Sequence, residues 1–327
     1  MRIGVVGAGA IGGRLAIPLG TQGQGQEHEI SALARGETLA ALRRKPWRLT
    51  RDDRVYEVNV TASDDARDLG VQDMVIVAVK GPAMASVAPI IGPMIGPHTI
   101  VVPAMNGVPW WFLLRGGGEL PPMSLASIDP GGAIAGAIPV DRVVGCVVHL
   151  SAAVTAPGEI GLAPGNRLLF GEPAGGHSTR VAEIVEQFRA AGFDATASDH
   201  IRKDVWFKVW GNMTMNPISA LTRATCDRIL DDPLVNTFVL GVMGEAKEIG
   251  RRIGCELAEN GKDRMAHTRK LGAIKTSMLR DVEAHRPIEL EDLLGAPSEI
   301  ARKLGSETPH IDALYGLTRL FAQSRAL

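Results

Sequence analysis

Cysteine is scarce in this chain: three residues, Cys146, Cys226 and Cys255, lie far apart. Such spacing offers neither a disulfide framework nor a zinc knuckle, and it fits a reduced, cytoplasmic protein. An excess of one charge sign is lacking too. Lys and Arg number 35 and Asp and Glu 36, for a formal net charge of -1. With no long basic run, a nucleic-acid partner is not expected. No apolar run reaches the roughly 18–20 residues that a membrane span needs. MRIGVVGAG at the start has no basic head, apolar stretch and cleavage site, so no secretion signal is expected. What is present is 327 residues with hydrophobic content 45% and charged content 22%. That is enough for a large core, and for two domains rather than one.

The first half alternates strand and helix patterns. RIGVVGAGAIGGRLAIPLG is an apolar strand, a glycine turn and a helix start, with Gly7, Gly9 and Gly12 spaced G-x-G-x-x-G. The first glycine permits the tight turn, the second lets a pyrophosphate approach the backbone, and the third lets helix and strand pack closely. A dinucleotide site is therefore expected over Gly7, Gly9, Ala10, Ile11 and Gly12, and Pro18 should shorten or kink the helix. A polar Gly/Gln stretch at 20–28 leads to a second strand at 29–34. Arg35 follows it, where an NAD site often presents an acid. An arginine there can pair with a 2′-phosphate, which favours NADPH/NADP+, or it can stand in a solvated turn. The runs at 73–80 and 98–111 read as further strands, with Lys80 and Asn106 near their carboxyl ends, where open α/β sheets bind ligands. Residues 142–171 read as short strands forming a β-rich edge, and 178–191 as a helix. Helical patterning takes over near residue 199, giving domains 1–198 and 199–327.

In the second half, helices are expected at about 200–221, 232–254, 267–281, 287–305 and 309–322. Thr308-Pro309 suggests an N-cap and first-turn proline, and Pro217 an end or bend. Lys208, Asn212 and Asn216 recur every fourth residue among Trp206, Phe207, Trp210, Met213 and Met215. Burying one ammonium and two amides without partners would cost about 1–3 kcal/mol each or more. Bulky apolar neighbours cover most of the helix circumference, so the stripe is expected to face a polar cleft. A lysine there can donate a proton to an oxygen that gathers negative charge. Further along, Ser277 and Asp281 are four apart, and Glu289 follows Pro287 in an expected first turn, where an acid also suits the helix terminus. Glu283, Glu291 and Asp292 read as surface acids.

Taken together, GAGAIGG at 7–13, VKG at 79–81, MNGV at 105–108, FKVWGNMTMNPISALT at 207–222, KTSMLRDVEAHRPIELEDLLG at 275–295 and TPHIDALYGL at 308–317 resemble the ketopantoate reductase (2-dehydropantoate 2-reductase) family over nearly the whole chain. The resemblance implies an α/β Rossmann-type N-terminal domain and an all-α C-terminal domain of the 6-phosphogluconate dehydrogenase C-terminal-like kind, with the active site in the cleft between them. It implies an NADP-dependent oxidoreductase that needs no metal and converts a small 2-oxo acid to a 2-hydroxy acid, for ketopantoate on the route to pantothenate. By position, Lys208 is then the general acid and Glu289 acts beside it. Asn212 and Asn216 line the substrate site, and Ser277 contacts the substrate carboxylate. Asn106 and Lys80 serve the nicotinamide end and the active-site network, and Arg35 the 2′-phosphate. PWWFLLRGGGEL departs from the familiar pattern, and Trp110 and Trp111 could line the pocket or pack beneath it. A homodimer is compatible with the resemblance. Two rivals stand beside this reading: a dehydrogenase of another 2- or 3-hydroxy acid, and a non-catalytic NADPH sensor.

Overall fold

Strand β1 (Arg2–Val6) is apolar at four successive positions, Ile3 to Val6, and all four are buried. That pattern belongs to a strand covered on both faces. It sits at the middle of a five-stranded sheet ordered β5-β2-β1-β6-β7, with β2 at Glu29–Leu33, β5 at Val60–Ser63, β6 at Gln72–Val77 and β7 at Ile95–Pro103. Every pairing in it is parallel. A second sheet joins β3 (Trp47–Arg51), β4 (Arg54–Val58), β8 (Gly145–Ala156), β9 (Glu159–Gly171) and β10 (Asp194–Ala197). The computed structural model describes residues 1–21, 28–51, 54–270 and 272–327. Most of the polar stretch read at 20–28 lies outside those residues.

The helix Ala10–Gly20 lies between the two sheets, and two adjacent glycines make that possible. A side chain on Gly12 would run into Val5 and the Gly7 carbonyl, and one on Gly13 into Trp47 and Ile160 at 2.6–2.9 Å. Pro18 stays inside this helix without ending it. Leu15, Ile17 and Leu19 are buried, and their packing outweighs the one backbone bond that proline removes. Beside this helix, against the second sheet, packs the helix Thr179–Ala190, whose Ser178 side chain accepts from the Val181 N–H. Its Phe188 is fully buried between Phe170 and Phe193, with ring centroids at 4.8 and 5.6 Å.

The chain forms two compact units, Met1–Met105 with Ala133–Ile201, and Asn106–Gly132 with Arg202–Leu327. The single boundary drawn from sequence at 198/199 thus becomes three crossings. The cause is visible in the apolar segment after Asn106. Trp110, Trp111, Phe112 and Leu113 are all buried, Phe112 stacks on Trp206 at 6.1 Å, and the Arg202 guanidinium donates to the Phe112 carbonyl at 2.9 Å. Trp110 and Trp111 are core residues of this unit, not pocket walls.

The second unit is helical: Ile201–Thr222, Pro233–Arg252, Gly261–Arg269, Ser277–Glu283, Ala296–Lys303 and Pro309–Ser324 are its longer helices among the described residues. Pro217 does not end the first of these, because Met215, Ile218 and Ala220 around it are buried. The helix expected at 267–281 is two. Asn260 caps the first at the Asp263 N–H, Gly272 turns the chain at φ 70°, and Thr276 caps the second at the Leu279 N–H. Thr308 precedes the Pro309 helix but makes no side-chain cap bond to it. Among the described residues, no helix is long and apolar enough to cross a membrane.

Phe188→Ala should destabilise the first unit by about 3–5 kcal/mol, since it empties the ring triad. Urea unfolding followed by circular dichroism would measure this; a loss below about 1 kcal/mol would mean the triad is not a packed core.

Candidate active site

In the first unit, the turn after β1 forms a cradle for a dinucleotide. Gly7 has φ +95°, and a side chain there would meet Val79 and the Ala78 carbonyl at 2.8–2.9 Å. Only glycine fits that backbone. Above Gly9, by contrast, an added carbon would meet nothing within 4 Å. Gly9 is the helix N-cap and supplies no side-chain cap, so the backbone N–H groups at the start of Ala10–Gly20 are left for an anion. Ala10 and Ile11, half-buried, are the first two helical residues. Tight glycines below and open space above suit a pyrophosphate, so the residues present fit a nicotinamide dinucleotide. Arg35 stands exposed two residues beyond β2, at the N-cap of Gly36–Leu42. Lys80 is half-buried, three residues past β6 rather than at its last position.

The second unit gathers the polar residues of the long helix. The Lys208 ammonium donates to Asn106 Oδ1 at 2.7 Å, and Asn106 Nδ2 donates to Glu289 Oε2 at 3.2 Å. One amide therefore presents its oxygen to the cation and its nitrogen to the carboxylate. Asn106 lies three residues beyond β7, on a turn continued by Gly107 at φ +78°. Asn216 Nδ2 donates to Ser277 Oγ at 3.4 Å, and Asn212 is half-buried on the same side of the helix. Lys208, Asn106 and Glu289 are thus brought together as one chain of contacts, and Asn216 with Ser277 as a second pair two helical turns on. A cleft of about 330 Å³ lined by Trp210, Met243, Lys247 and Lys262 contains none of these five residues.

Two expectations need correction. Glu289 is not inside a first turn; it immediately precedes the helical segment, which begins as a π-turn at Glu291–Gly295. Asp292 and Glu291 are not surface acids. Asp292 is only 4% exposed, its carbonyl accepts from the Val108 N–H at 2.8 Å, and a side chain on Gly107 would collide with it. Glu291 accepts from the Tyr315 hydroxyl at 2.9 Å. The π-turn therefore clamps the loop that carries Asn106. Sequence reading missed this because i, i+3 and i+4 spacing assumes a regular α-helix, and a π-turn rotates each following side chain out of that register.

Burial pushes the Asp292 carboxyl up to about 8, with the negative charges of Glu289 and Glu291 adding to it. It is neutral in the folded protein over a range where the unfolded chain would ionise it. Its contribution to stability is accordingly full below the unfolded value of about 4 and is lost as pH rises through about 8. Asp292→Asn, neutral at every pH, should flatten the fall in melting temperature between about pH 5 and pH 9. Parallel melting profiles for variant and wild type would contradict this assignment.

Comparison with known proteins agrees with this architecture along the whole chain. Residues 3–114 match the family described as ketopantoate reductase PanE/ApbA, and residues 200–322 its ketopantoate reductase PanE/ApbA C-terminal domain. The 2-dehydropantoate 2-reductase of Mesorhizobium japonicum is 39% identical over 325 residues, covering 99% of both chains. A crystal structure provisionally named as a ketopantoate reductase, from Ralstonia solanacearum MolK2, superposes with a TM-score of 0.94 at 54% identity, covering 100% of this chain and 99% of that one. D-mandelate dehydrogenase with NADH and anilino(oxo)acetate shares the fold at a TM-score of 0.84 and 19% identity, with 100% of both chains covered. A Rossmann-type unit with its glycine cradle, a helical unit carrying the lysine–amide–carboxylate chain, and a relative matched from end to end lead to one assignment: the chain belongs to the ketopantoate reductase family of oxidoreductases.

Proposed function

We propose that the protein reduces 2-dehydropantoate (ketopantoate) to pantoate with NADPH. The observation that carries this reading is the Lys208–Asn106–Glu289 chain, in which one neutral amide accepts from the cation and donates to the carboxylate. Gly7, Gly9, Ala10, Ile11 and Gly12 hold the pyrophosphate, and Arg35 the 2′-phosphate. Lys80 and Asn106 serve the nicotinamide end. When bound, NADPH supplies the hydride that goes to the ketone carbon.

The chain's own residues then do the rest. Lys208 Nζ gives a proton to the ketone oxygen as negative charge gathers on it, so an alkoxide never has to persist. The Asn106 oxygen fixes where that ammonium points. Its amide nitrogen ties the same group to Glu289, which steadies the positive charge on Lys208 before transfer. Asn212, Asn216 and Ser277 line the substrate with neutral donors and acceptors, so their part is orientation. A different 2-oxo acid is the second reading, because the D-mandelate dehydrogenase neighbour shows that this fold serves other acids.

The test is NADPH consumption by the purified protein with ketopantoate and a panel of other 2-oxo acids. Ketopantoate should give the highest kcat/KM, and turnover confined to another acid would move the substrate while keeping the chemistry. Lys208→Ala should lower kcat by about 10²–10⁴-fold with NADPH binding retained. An unchanged rate in a folded variant would remove the proposed acid. Arg35→Ala should raise KM for NADPH about tenfold while leaving NADH nearly unaffected, and equal effects on both cofactors would argue against a 2′-phosphate contact.

A further inference from the structure

Three acids, Glu289, Glu291 and Asp292, stand within four residues of one another. Two of them are met by donors. Glu289 Oε2 accepts from Asn106 Nδ2 at 3.2 Å, and Glu291 accepts from the Tyr315 hydroxyl at 2.9 Å. Asp292 differs. It is only 4% exposed, and among the described residues the N–H bonded to its carboxyl is its own, with no cation paired to it. An ionised carboxyl at that depth, without a cation, is costly.

Asp292 also fills the space against the turn that carries Asn106. A side chain on Gly107 would collide with its Cβ, and would meet its backbone carbon and oxygen at 2.8 Å. Its carbonyl accepts from the Val108 N–H at 2.8 Å. Asp292 thus touches both residues that follow Asn106, and it lies three residues after Glu289. The charges that act on it are those of Glu289 and Glu291. The turn at 106–108 offers no titratable side chain. On the two helices packed against the π-turn, Ala296–Lys303 and Pro309–Ser324, Glu299 is bonded to the Ala126 and Ser127 N–H groups and Asp312 to the Ser298 hydroxyl. Tyr315, with Arg319 over its ring, is bonded to Glu291. Two like charges and no paired cation favour the protonated acid until the solution is alkaline.

We propose that Asp292 is a positioning residue for the reduction and sets, through the Asn106–Gly107 turn, the alkaline limit of the Lys208–Asn106–Glu289 chain. The inference rests on the reductase reading above and deepens it. While it holds its proton, Asp292 adds no charge beside Glu289 and packs tightly against Gly107. When the proton goes to solvent, a second negative charge stands three residues from Glu289, in a space with no donor but its own N–H. The two carboxylates repel, and the contact with Gly107 carries the displacement to Asn106. The Lys208 ammonium then loses the acceptor that aims it, and proton transfer slows while the fold persists.

The test follows single-turnover NADPH oxidation from pH 6 to 10 in wild type, Asp292→Asn and Asp292→Ala. Cofactor and the 2-oxo acid that the wild type turns over best are both saturating. One ionisation at about 8 leaves about a tenth of the molecules neutral at this position at pH 9, so the wild-type rate should fall about tenfold between pH 7 and pH 9. Asp292→Asn keeps the shape without the proton, and its rate should fall less than about threefold over that range. Asp292→Ala should share the flatter profile at a lower rate throughout, because it also empties the space against Gly107. Circular dichroism at each pH reports whether the fold persists. A wild-type rate that stays level through pH 8 overturns the assignment. So does a uniform loss in Asp292→Asn with the wild-type slope, which is what a purely structural role would give. No turnover of any 2-oxo acid by the wild type would sink the reductase reading and this inference with it. An active wild type beside an unchanged slope in Asp292→Asn sinks the inference alone.

Discussion

The site depends on one amide. Asn106 accepts from Lys208, 102 residues away in sequence, and donates to Glu289, 183 residues away. A carboxylate in its place would hold the lysine's proton; an apolar residue would remove both of these bonds. An amide does neither, since it carries both a donor and an acceptor and no charge. The backbone around it is arranged to keep it there. Gly107 turns the chain in a conformation that favours glycine, Val108 bonds to the Asp292 carbonyl, and Trp110, Trp111 and Phe112 root the segment in the helical core.

That rooting explains an arrangement that domain-by-domain thinking obscures. A strand of the first unit ends at Pro103, and from Asn106 the chain belongs to the second. Asn106 therefore stands directly beside a chain crossing yet is fixed wholly by helical-unit partners. The first unit is built on a different constraint, close approach. Gly12 and Gly13 allow one helix to press on two sheets, and the open side of Gly9 faces what the helix start can bind. In one unit glycine makes room for packing and an anion; in the other, at Gly107, it makes room for the buried Asp292.

Much of this was legible in the sequence. The glycine turn, the strands at Glu29–Leu33 and Ile95–Pro103 and the long helix at Ile201–Thr222 follow from local signals: apolar runs, glycine spacing and periodicity. The polar stripe was legible because burying Lys208 and Asn216 needs a reason. What escaped was non-local. Strands Trp47–Arg51 and Arg54–Val58 carry polar and charged residues and gain their place only by pairing with each other and with β9. The π-turn and the burial of Asp292 depend on the Gly107 turn, which nothing near residue 292 announces.

In the proposed reaction, Lys208 and Asn106 deliver a proton as one unit. The most direct measurement is single-turnover NADPH oxidation with ketopantoate in Lys208→Ala, Asn106→Ala and the double variant, with cofactor saturating. If the two act together, the double variant will be no slower than the worse single one, because removing either already disables the pair. Rate losses that multiply in the double variant would show two independent contributions and contradict a shared role.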